Sequence, residues 1–366
     1  MSLVFVSPGG MHGGGGMGTV TRSIVTDLRR RSRGTPVKVL DPRGDGSVAL
    51  SPVYTLAALC ALAVEHLRHG IDVLHLNVSE RLSVPRKALF LLYGRLFGIP
   101  VVMHHHGAEF IPEFDKRSGL YRKLVTWAVR RADCNIVLGE DWYRFLHDRL
   151  GVPPDRLRLM YNAVWGPQAA PAPQVRAEGP VRLLMLANLS PRKGVGELLE
   201  AVQGLIERGR EVELTLAGGG EVARYRDMAH SLGIAERCRF TGWLKAEEAT
   251  ALLEAADIFV LPSHHEGLPM AILEALSRQV AVVATPVGAI PEVLSDGRDC
   301  LLVPPGDVDA LKSALDRLIT NAEERVCIAV AGRWLFERRF ELGHYVDDLL
   351  SLYESLRPPG RQEKRA

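Results

Sequence analysis

The stretch HHEGLPMAILEAL contains two glutamates whose placement suggests chemistry at the end of a strand. Glu266 follows the apolar run IFVLPS, which is typical of a buried strand, and Glu274 lies eight positions later in a helix predicted from 269 to about 278. Pro269 suits the first position of that helix. Carboxylates accept strong hydrogen bonds from paired hydroxyls, and helix N-termini bind phosphate. The pattern fits a ligand with hydroxyls at both ends and a diphosphate between them; two surface carboxylates are the alternative.

Two cations follow another apolar run, in the stretch NLSPRKGVGELLEAV. Ser190 and Pro191 predict the start of a helix, with Arg192 and Lys193 in its first turn. Cations near a helix N-terminus are unfavourable unless an anion lies there. The pair therefore indicates an anion site, for which a diphosphate is the natural candidate. A solvated first turn is the alternative.

A glycine-rich segment, PGGMHGGGGMGTVTRSIVTDL, joins the first predicted strand to a helix expected to begin near Thr19. Gly13, Gly15 and Gly18 formally satisfy the G-x-G-x-x-G pattern of dinucleotide sites, and Asp41 ends the next strand 23 residues later. The glycines begin five residues after the strand, too late for the tight turn of such a site. A mobile loop that approaches phosphate is favoured, and NAD(P) binding or a structural loop without a ligand remain as alternatives.

Three adjacent histidines, His104, His105 and His106, end another predicted strand before a glycine. Neighbouring side chains in an extended chain point to alternate faces, so the three do not converge on one metal ion. We expect His104 and His105 to be structural and His106 to be functional.

Length and composition indicate a folded protein of two domains. The chain has 366 residues, of which 47% are hydrophobic and 24% are charged. Five cysteines, without any CxxC pair, are expected to be buried reduced thiols. We find no transmembrane run and no signal peptide, and we expect a cytoplasmic protein.

Short apolar runs alternate with helical patterns through both halves of the chain, which predicts an α/β fold of two doubly wound domains facing each other across a cleft. A proline-rich linker at 166–180 separates the halves, and the C-terminal residues 307–320 and 322–357 are predicted to be helical. The predicted strands of the first half are 3–7, 37–40, 73–76, 101–105 and 134–138. Those of the second half are 181–187, 212–218, 238–242, 258–263, 280–285 and 300–303.

Charge is distributed unevenly between the halves. Residues 1–165 carry 22 lysines and arginines against 14 acidic residues, whereas the remainder carries 23 against 29. The basic residues of 115–133 surround Leu120, Leu124 and Trp127 in a pattern that suits a helix on an anionic membrane, although a solvated helix packed on its sheet has the same pattern. No nucleic-acid-binding module is present.

The stretch EGLPMAILEAL resembles the Glu-seven-Glu motif of retaining glycosyltransferases of family 4, which have the GT-B fold. GGMHGGGGMGTV, HHHGAEF, YNAV, NLSPRKG, LTLAGGGE, FTGWL and ATPVGAIPEVLSDGRDCLLVPPGD also occur in the order typical of that family. The resemblance implies four segments: an acceptor-binding Rossmann-like domain at 1–165, a linker at 166–180, a nucleotide-sugar-binding domain at 181–345, and a helix and tail at 346–366 that pack back toward the first domain.

The resemblance also assigns roles to residues of the second half. Glu266 would contact hydroxyls of the transferred sugar and Glu274 the ribose, while Gly267 and Leu268 would offer backbone amides. Lys193 would bind the diphosphate. The family commonly has Gly-Arg where this chain has Ala187 and Asn188, and that arginine commonly helps to hold the diphosphate. Asn188 would therefore occupy this position of the substrate site, and Arg192 would replace the missing arginine. The FTGWL loop, represented by Gly242 and Leu244, would border the base.

In the first half the resemblance implies that His106 lies by the transferred sugar. It further implies a loop that closes over the diphosphate, formed by Gly14, Gly15, Gly16 and Gly18. No metal is expected, because Asp307 and Asp309 in the Asp-Val-Asp after Pro-Pro-Gly are interpreted as a helix start with Asp307 as its N-cap.

The expected reaction is transfer of a hexose from UDP- or GDP-hexose, with retention, to a hydroxyl of a glycan or lipid-linked acceptor in bacterial exopolysaccharide or lipopolysaccharide assembly. The protein would be cytoplasmic and peripheral to the inner membrane face. Two alternatives are an NAD(P)-dependent oxidoreductase that uses the glycine segment and a catalytically inactive nucleotide-sugar-binding protein. The oligomeric state is not indicated by the sequence.

Overall fold

A computed structural model describes residues 1–31, 36–44, 47–80, 82–107, 109–169 and 179–357. The chain divides into two compact units: unit 1 comprises residues 1–163 together with the chain from Leu342, and unit 2 comprises Val164–Glu341. Most of the predicted linker, 170–178, and the tail 358–366 lie outside the described residues. Each unit is built on one six-stranded parallel sheet.

Unit 1 has the strand order β2-β1-β3-β4-β5-β6. Its central strands are buried along their whole length, as expected for a parallel sheet covered by helices on both faces, and two of them also contain buried histidine or asparagine. The strands are β1 Leu3–Val6, β2 Val37–Leu40, β3 Val73–Val78, β4 Val101–His105, β5 Cys134–Val137 and β6 Leu157–Leu159. The helices before the crossing to unit 2 are α1 Gly15–Arg31, α2 Ser51–His69, α3 Ser83–Leu96, α4 Phe110–Phe114, α5 Gly119–Arg131 and α6 Glu140–Arg144.

Unit 2 has the order β12-β11-β10-β7-β8-β9. When β7 is counted as the first strand, this order becomes 3-2-1-4-5-6, which is the order of dinucleotide-binding sheets. In such sheets the later strands are added on the opposite side of the first strand from the second and third. The strands are β7 Val181–Leu186, β8 Val212–Ala217, β9 Cys238–Gly242, β10 Ile258–Leu261, β11 Ala281–Ala284 and β12 Leu301–Leu302. The helices are α7 Val195–Glu207, α8 Val222–Ser231, α9 Ala246–Ala255, α10 Met270–Ser277, α11 Ile290–Val293, α12 Val308–Thr320 and α13 Ala322–Arg339.

These strand orders identify one switch point in each unit. In unit 1 the order reverses between β1 and β3, and in unit 2 between β7 and β10. Loops leaving two neighbouring strands in opposite directions open a crevice at the carboxyl edge of the sheet, where ligands of open α/β sheets bind. All four sequence regions with candidate chemistry follow strands at or next to these points.

The predicted α/β fold is confirmed, since every predicted strand is present with ends that differ by at most a few residues. Strand β6 was not predicted. It has only three residues, of which the middle one is the exposed Arg158, and it lies at the sheet edge beside β5. A strand this short with a charged centre lacks the apolar run that marks the other strands.

The prediction of a single helix at 322–357 is wrong. Helix α13 ends at Arg339, and a separate helix α14, Leu342–Leu356, belongs to unit 1 and packs against α1. At the break, the buried Phe340 accepts a backbone hydrogen bond from Val164 at 3.0 Å. This pairing satisfies a carbonyl that a continuous helix would use itself. The change of unit therefore lies at Leu342 and not at 346.

Side-chain burial corrects one expectation about the thiols. Cys134 and Cys300 are buried, but Cys60 and Cys327 are exposed, and all five cysteines are unbridged. Among the described residues, no helix is both long and apolar enough to cross a bilayer.

Candidate active site

The switch point of unit 2 is formed by two loops in direct backbone contact. The loop after β7 contains Arg192, whose carbonyl accepts a hydrogen bond from the backbone N–H of His264, after β10, at 2.8 Å. Gly194 has φ +70°, and a Cβ placed on it would lie 2.0 Å from the carbonyl oxygen of Pro262. Only glycine fits that combination of left-handed conformation and close approach. The two loops are therefore fixed in register at the edge of the sheet.

This contact brings the predicted cations to the predicted carboxylate. The Lys193 ammonium lies 2.5 Å from Oε1 of Glu266, and the Arg192 guanidinium lies 3.8 Å from Oε2. Arg192 also donates to the carbonyl of His265 at 2.7 Å. The side chains of Glu266 and Lys193 are only 7% and 13% exposed, so their attraction is little screened by water. The structure thus assembles three residues that were predicted from separate stretches of sequence.

The cations do not stand in the first turn of an α-helix, as the sequence predicted. Pro191–Lys193 form a separate 3₁₀ turn, and α7 begins at Val195 after the left-handed Gly194. The cause is the approach of Gly194 to Pro262, which a helical φ at this position would prevent. Lys193 therefore lies outside α7, and its contact with Glu266 acts on it more directly than the dipole of that helix does.

A third loop, after β11, supports the backbone of Glu266. Gly288 has φ +57°, and a Cβ on it would lie 2.1 Å from the carbonyl oxygen of Glu266. Ala289 donates its backbone N–H to the carbonyl of Gly267 at 3.0 Å, and the Thr285 hydroxyl donates to the carbonyl of Ser263 at 2.5 Å. Sequence reasoning did not assign these supporting residues. Their one local signal is the glycine in ATPVGAIPEV.

Gly267 and Leu268 lie between the two glutamates. Leu268 is buried, whereas a Cβ on Gly267 would have no described atom within 4 Å. The open space beside Gly267 leaves its backbone accessible to a ligand. Pro269 is the residue before α10 and not its first residue, because the helix begins at Met270.

Glu274 lies in the second turn of α10, with its side chain half-buried. Burial raises the pKa of its carboxyl, and the nearby Arg278 partly opposes this rise. Arg278 directs its guanidinium to the backbone carbonyl of Glu274 and to the hydroxyl of Ser277. No hydrogen bond joins the side chains of Glu274 and Glu266 in the described part of the chain. A desolvated carboxyl with open acceptor capacity suits a ligand hydroxyl.

Asn188 lies at the edge of this site beside a glycine turn. A Cβ on Gly218 would lie 1.8 Å from the carbonyl of Ala187, and one on Gly220 would lie 2.3 Å from that of Leu189. The side chain of Asn188 is exposed, with Oδ1 3.1 Å from the Cβ position of Gly220. An arginine here would find the same exposed position above the turn.

The loop after β9 contributes an aromatic residue that the sequence did not single out. Gly242 has φ +70° and accepts the backbone N–H of Gly218 at 2.9 Å, while Leu244 is half-buried. Between them, Trp243 is exposed and lies against Gly219, whose Cβ position is 3.6 Å from the indole. An exposed indole against a glycine suits stacking with a planar base. The tryptophan in FTGWL was the available signal.

In unit 1 the glycine segment is mostly helix. α1 begins at Gly15 and not near Thr19, so three of the four glycines expected to form the closing loop, Gly15, Gly16 and Gly18, lie in its first turn and Gly14 precedes it. The low helix propensity of glycine hid this start. A Cβ on Gly18 would lie 2.0 Å from the carbonyl oxygen of Gly13, so the segment folds back closely on itself. Gly14, Gly15 and Gly16 are exposed.

Asp41, the acidic residue required by the dinucleotide hypothesis, serves the protein backbone. Its Oδ1 accepts the N–H of Gly9 at 3.0 Å and that of Arg43 at 2.8 Å. This carboxylate holds the glycine segment against the end of β2. A ribose would have to compete with both amides for the same oxygen.

His106 lies at the carboxyl end of β4, next to the switch point of unit 1. Its Nε2 is 3.1 Å from Oδ1 of Asn77, whose amide donates to the hydroxyl of Thr21 at 2.8 Å. Its ring packs against that of His104 in a tilted arrangement, with centroids 4.0 Å apart and an interplanar angle of 41°. Burial, with repulsion from neighbouring cationic forms, lowers the pKa of His106 to about 3. The imidazole is neutral near pH 7 and lies in a polar cluster.

His104 and His105 are buried within unit 1. His105 bonds Asn135 at 3.0 Å, and Nδ1 of His104 lies 3.3 Å from Nε2 of His75. Nδ1 of His75 in turn lies 2.7 Å from the Tyr353 hydroxyl of α14. These contacts fit the structural role expected for the two histidines.

The described residues contain no group of three or more histidine, cysteine or acidic side chains arranged to hold a metal ion. Asp307 accepts the N–H of Ala310 at 2.9 Å and caps α12, as the sequence predicted.

Comparison with known families matches almost the whole chain in two parts. Residues 14–164 match the family described as Glycosyltransferase Family 4. Residues 168–333 match the family described as Glycosyl transferases group 1. The boundary between the two matches falls close to the boundary between the two structural units.

Two curated bacterial relatives illustrate the similarity. The alpha-D-kanosaminyltransferase of Streptomyces kanamyceticus is 25% identical over 283 residues, which cover 72% of this chain and 73% of the relative. The amylovoran biosynthesis glycosyltransferase AmsK of Erwinia amylovora is 33% identical over 199 residues, covering 52% of this chain and 46% of AmsK.

Among solved structures, the fold is similar to that of Anabaena HepE, crystallised in complex with UDP-glucose. The TM-score is 0.75 at 20% identity, covering 97% of this chain and 100% of HepE.

Proposed function

This chain belongs to the family 4 glycosyltransferases with the GT-B fold, and we propose that it transfers a hexose from UDP- or GDP-hexose, with retention, to a hydroxyl of a glycan or lipid-linked acceptor. The proposed setting is bacterial exopolysaccharide or lipopolysaccharide assembly. The amylovoran relative supports that setting, and the UDP-glucose complex of a protein with the same fold supports the donor class.

The observation that carries the proposal is the contact of Lys193 with Glu266 at the switch point of unit 2. A nucleoside diphosphate sugar has a diphosphate for the cations and hydroxyls for the carboxylates. We infer that the diphosphate draws Lys193 and Arg192 away from Glu266, whose oxygens then accept hydrogen bonds from the transferred sugar. Gly267 and Leu268 are proposed to offer amides to the sugar and phosphate, and Glu274 to accept from the ribose.

The base is proposed to lie along the glycine turn and the loop after β9. Asn188 and the backbone of Gly242 border this surface, with Leu244 and the exposed Trp243 beside them. In unit 1, the polar cluster around His106 and the exposed Gly14, Gly15 and Gly16, together with the buried Gly18, are proposed as the substrate-binding surface of that unit.

In the proposed step, the bond from the anomeric carbon to the diphosphate oxygen breaks as a bond to the acceptor oxygen forms on the same face. The acceptor proton passes to the departing phosphate oxygen. Lys193 and Arg192 stabilise the charge that develops on the diphosphate, which lowers the barrier more than ground-state binding alone. These cations fill the role of a divalent metal, so we propose that turnover does not require one.

Two other functions are less well supported. An NAD(P)-dependent oxidoreductase would require Asp41 for the ribose, but two backbone amides occupy its oxygen. A catalytically inactive nucleotide-sugar-binding protein would keep donor binding without turnover.

The donor site is tested by measuring the thermal midpoint of the protein without added metal. The ligands compared are UDP, GDP, ADP, their hexose conjugates and NAD(P). Stabilisation by one nucleoside diphosphate and its sugar supports the proposal, and stabilisation only by NAD(P) contradicts it. Hydrolysis or transfer from the selected donor, with and without EDTA, then separates an enzyme from an inactive binder. The anomeric proton coupling of the product, measured by NMR, reports retention or inversion.

A further inference from the structure

Helices α2 and α3 of unit 1 present an exposed apolar surface that the proposed reaction does not explain. On α2, the residues Val53, Leu56, Cys60, Val64 and Leu67 recur at helical spacing and are all exposed. On α3, Leu89, Leu92 and Leu96 do the same. Helix α2 carries no charged side chain from Ser51 through Val64. Contiguous exposed apolar surface of this kind marks a binding site.

A groove of about 380 Å³ lies between the N-terminal halves of these helices. Apolar side chains dominate its lining, and one cation, Arg86, stands at it. The volume falls within the roughly 300–1,000 Å³ of small-molecule sites. The apolar lining is formed by Leu56 and Leu59 of α2 and by Leu82, Pro85 and Leu89 at the start of α3.

Two adjacent residues of α3 are cationic: Arg86 lines the groove, and Lys87 is buried and does not line it. Arg86 donates to the Ser51 hydroxyl at 2.7 Å and has no carboxylate within ion-pair distance among the described residues. The next residue, Lys87, is wholly buried, and its ammonium has no hydrogen-bond partner in the described part of the chain. Burial and the charge of Arg86 lower the pKa of Lys87 to about 7. Asp41, whose charge acts on both Arg86 and Lys87, is engaged by backbone amides. An anion at Arg86 would relieve this excess of positive charge.

We propose that the groove between α2 and α3 holds the hydrocarbon chain of a lipid-phosphate-linked acceptor, with the phosphate at Arg86. This inference rests on the proposed transfer to a lipid-linked acceptor and names where unit 1 recognises the lipid. A hydrocarbon chain that ends in a phosphate matches an apolar groove that has Arg86 in its lining. A protein partner would be expected to meet a polar rim, which α2 does not offer along its uncharged stretch from Ser51 through Val64.

The basic helix α5, predicted from the sequence as a membrane surface, is a weaker candidate. Arg117 pairs with Glu113, and Arg122 lies 3.9 Å from Asp115. Trp127 packs against the core of unit 1. Leu120 is 80% exposed but stands without comparable neighbours on its helix. It provides a matched control for substitutions on α2 and α3.

The test measures binding of farnesyl monophosphate, a soluble lipid phosphate, to the full chain by titration calorimetry. Farnesol and inorganic phosphate are titrated separately, because they represent the hydrocarbon and the phosphate parts of the probe. Leu56→Asp and Leu89→Asp change side chains that are 64% and 46% exposed, so folding should survive, as checked by thermal midpoint. We expect each to weaken farnesyl monophosphate binding at least tenfold and Leu120→Asp to leave it unchanged. Arg86→Gln should weaken farnesyl monophosphate but not farnesol.

A second readout requires no substitution. Cys60 lies on the α2 stripe one turn after Leu56, and Cys327, which is also exposed, lies in unit 2. Farnesyl monophosphate should slow alkylation of Cys60 by N-ethylmaleimide at least threefold and leave Cys327 unaffected. Equal rates at Cys60 with and without a bound lipid phosphate would overturn the proposal.

Three other results would also overturn it: unchanged binding in Leu56→Asp and Leu89→Asp, binding only to phosphatidylglycerol vesicles, or a dimer of the wild type that Leu56→Asp dissociates. The last two would assign the surface to a bilayer or to a second copy. Stabilisation by nucleoside diphosphates is measured in the wild type alongside lipid binding. If nucleoside diphosphates stabilise the wild type but farnesyl monophosphate does not bind to it, this inference fails and the proposed function stands.

Discussion

The ammonium of Lys193 lies 2.5 Å from a carboxylate oxygen of Glu266, although the two residues belong to loops after different strands of unit 2. The contact forms because β7 and β10 are neighbours at the switch point of the sheet. A mostly buried ion pair is costly to desolvate and contributes little net stability. Its value here is that it keeps a cation and an anion at the place where a diphosphate and a sugar are proposed to bind.

Replacing Lys193 by methionine should lower kcat/KM for the donor by about tenfold to a hundredfold, because a charge-assisted contact contributes about 1.5–3 kcal/mol. Glu266→Gln should cause a similar loss. The double variant should lose less than the product of the two, since the residues act on each other as well as on the donor. Kinetics of all four proteins measure this coupling.

The matched control is Lys312→Met on α12. Lys312, whose side chain is 19% exposed, pairs at 2.6 Å with Asp309, which is 87% exposed, so this contact has one partner in solvent. Exposed pairs contribute about 0–1 kcal/mol and none of that to catalysis. A loss of activity in Lys312→Met equal to that in Lys193→Met would contradict a specific role for Lys193.

Gly194→Ala should displace the Pro191–Lys193 turn. A Cβ at this position would lie 2.0 Å from the carbonyl oxygen of Pro262, so the loop has to move away from β10 and carry Lys193 with it. We expect donor affinity to fall at least tenfold, as measured by titration calorimetry. Gly209→Ala is the control, because Gly209 has a similar φ of +76° with open space around it. Its cost is limited to about 1–2 kcal/mol of backbone strain, without loss of donor affinity.

The sequence predicted where the candidate residues lie in the fold better than it predicted how their loops are held. Strand runs such as IFVLPS place Glu266 at a sheet edge, and the parallel α/β pattern then makes that edge a ligand site. Gly194 and Gly288 were not predicted to be structural, because their positive φ results from contacts with Pro262 and Glu266 in other loops. The start of α1 at Gly15 was missed for a related reason: close packing of Gly18 against Gly13, and not helix propensity, sets it.

Donor affinity should depend on the ionisation of Glu274. Burial raises the pKa of this carboxyl, so the folded protein keeps its proton to a higher pH than the unfolded chain does. The carboxylate that accepts strongly from ribose hydroxyls is therefore lost as pH falls through this raised pKa, starting above the usual value of about 4.3. Stability has the opposite sign: in this window it decreases as pH rises.

Glu274→Gln should remove both dependences, with a lower but pH-independent contribution to donor affinity. Calorimetric titrations of UDP or GDP, whichever binds, between pH 4.5 and pH 8 in the wild type and the variant measure this. An identical acid inflection in both proteins would assign it to another group.

Two tyrosines of α14 provide a paired test of how this helix is anchored in unit 1. The hydroxyl of Tyr353 lies 2.7 Å from Nδ1 of the buried His75, so Tyr353→Phe leaves that nitrogen without its partner. The expected loss is about 1–3 kcal/mol of unfolding free energy.

The hydroxyl of Tyr345 is also buried but has no hydrogen-bond partner among the described residues. Tyr345→Phe removes an unsatisfied group and should be neutral or stabilising. Urea unfolding of both variants, followed by hydrogen exchange of unit 1 peptides, measures the difference. Equal destabilisation by the two substitutions would show that ring packing, and not the contact with His75, anchors α14.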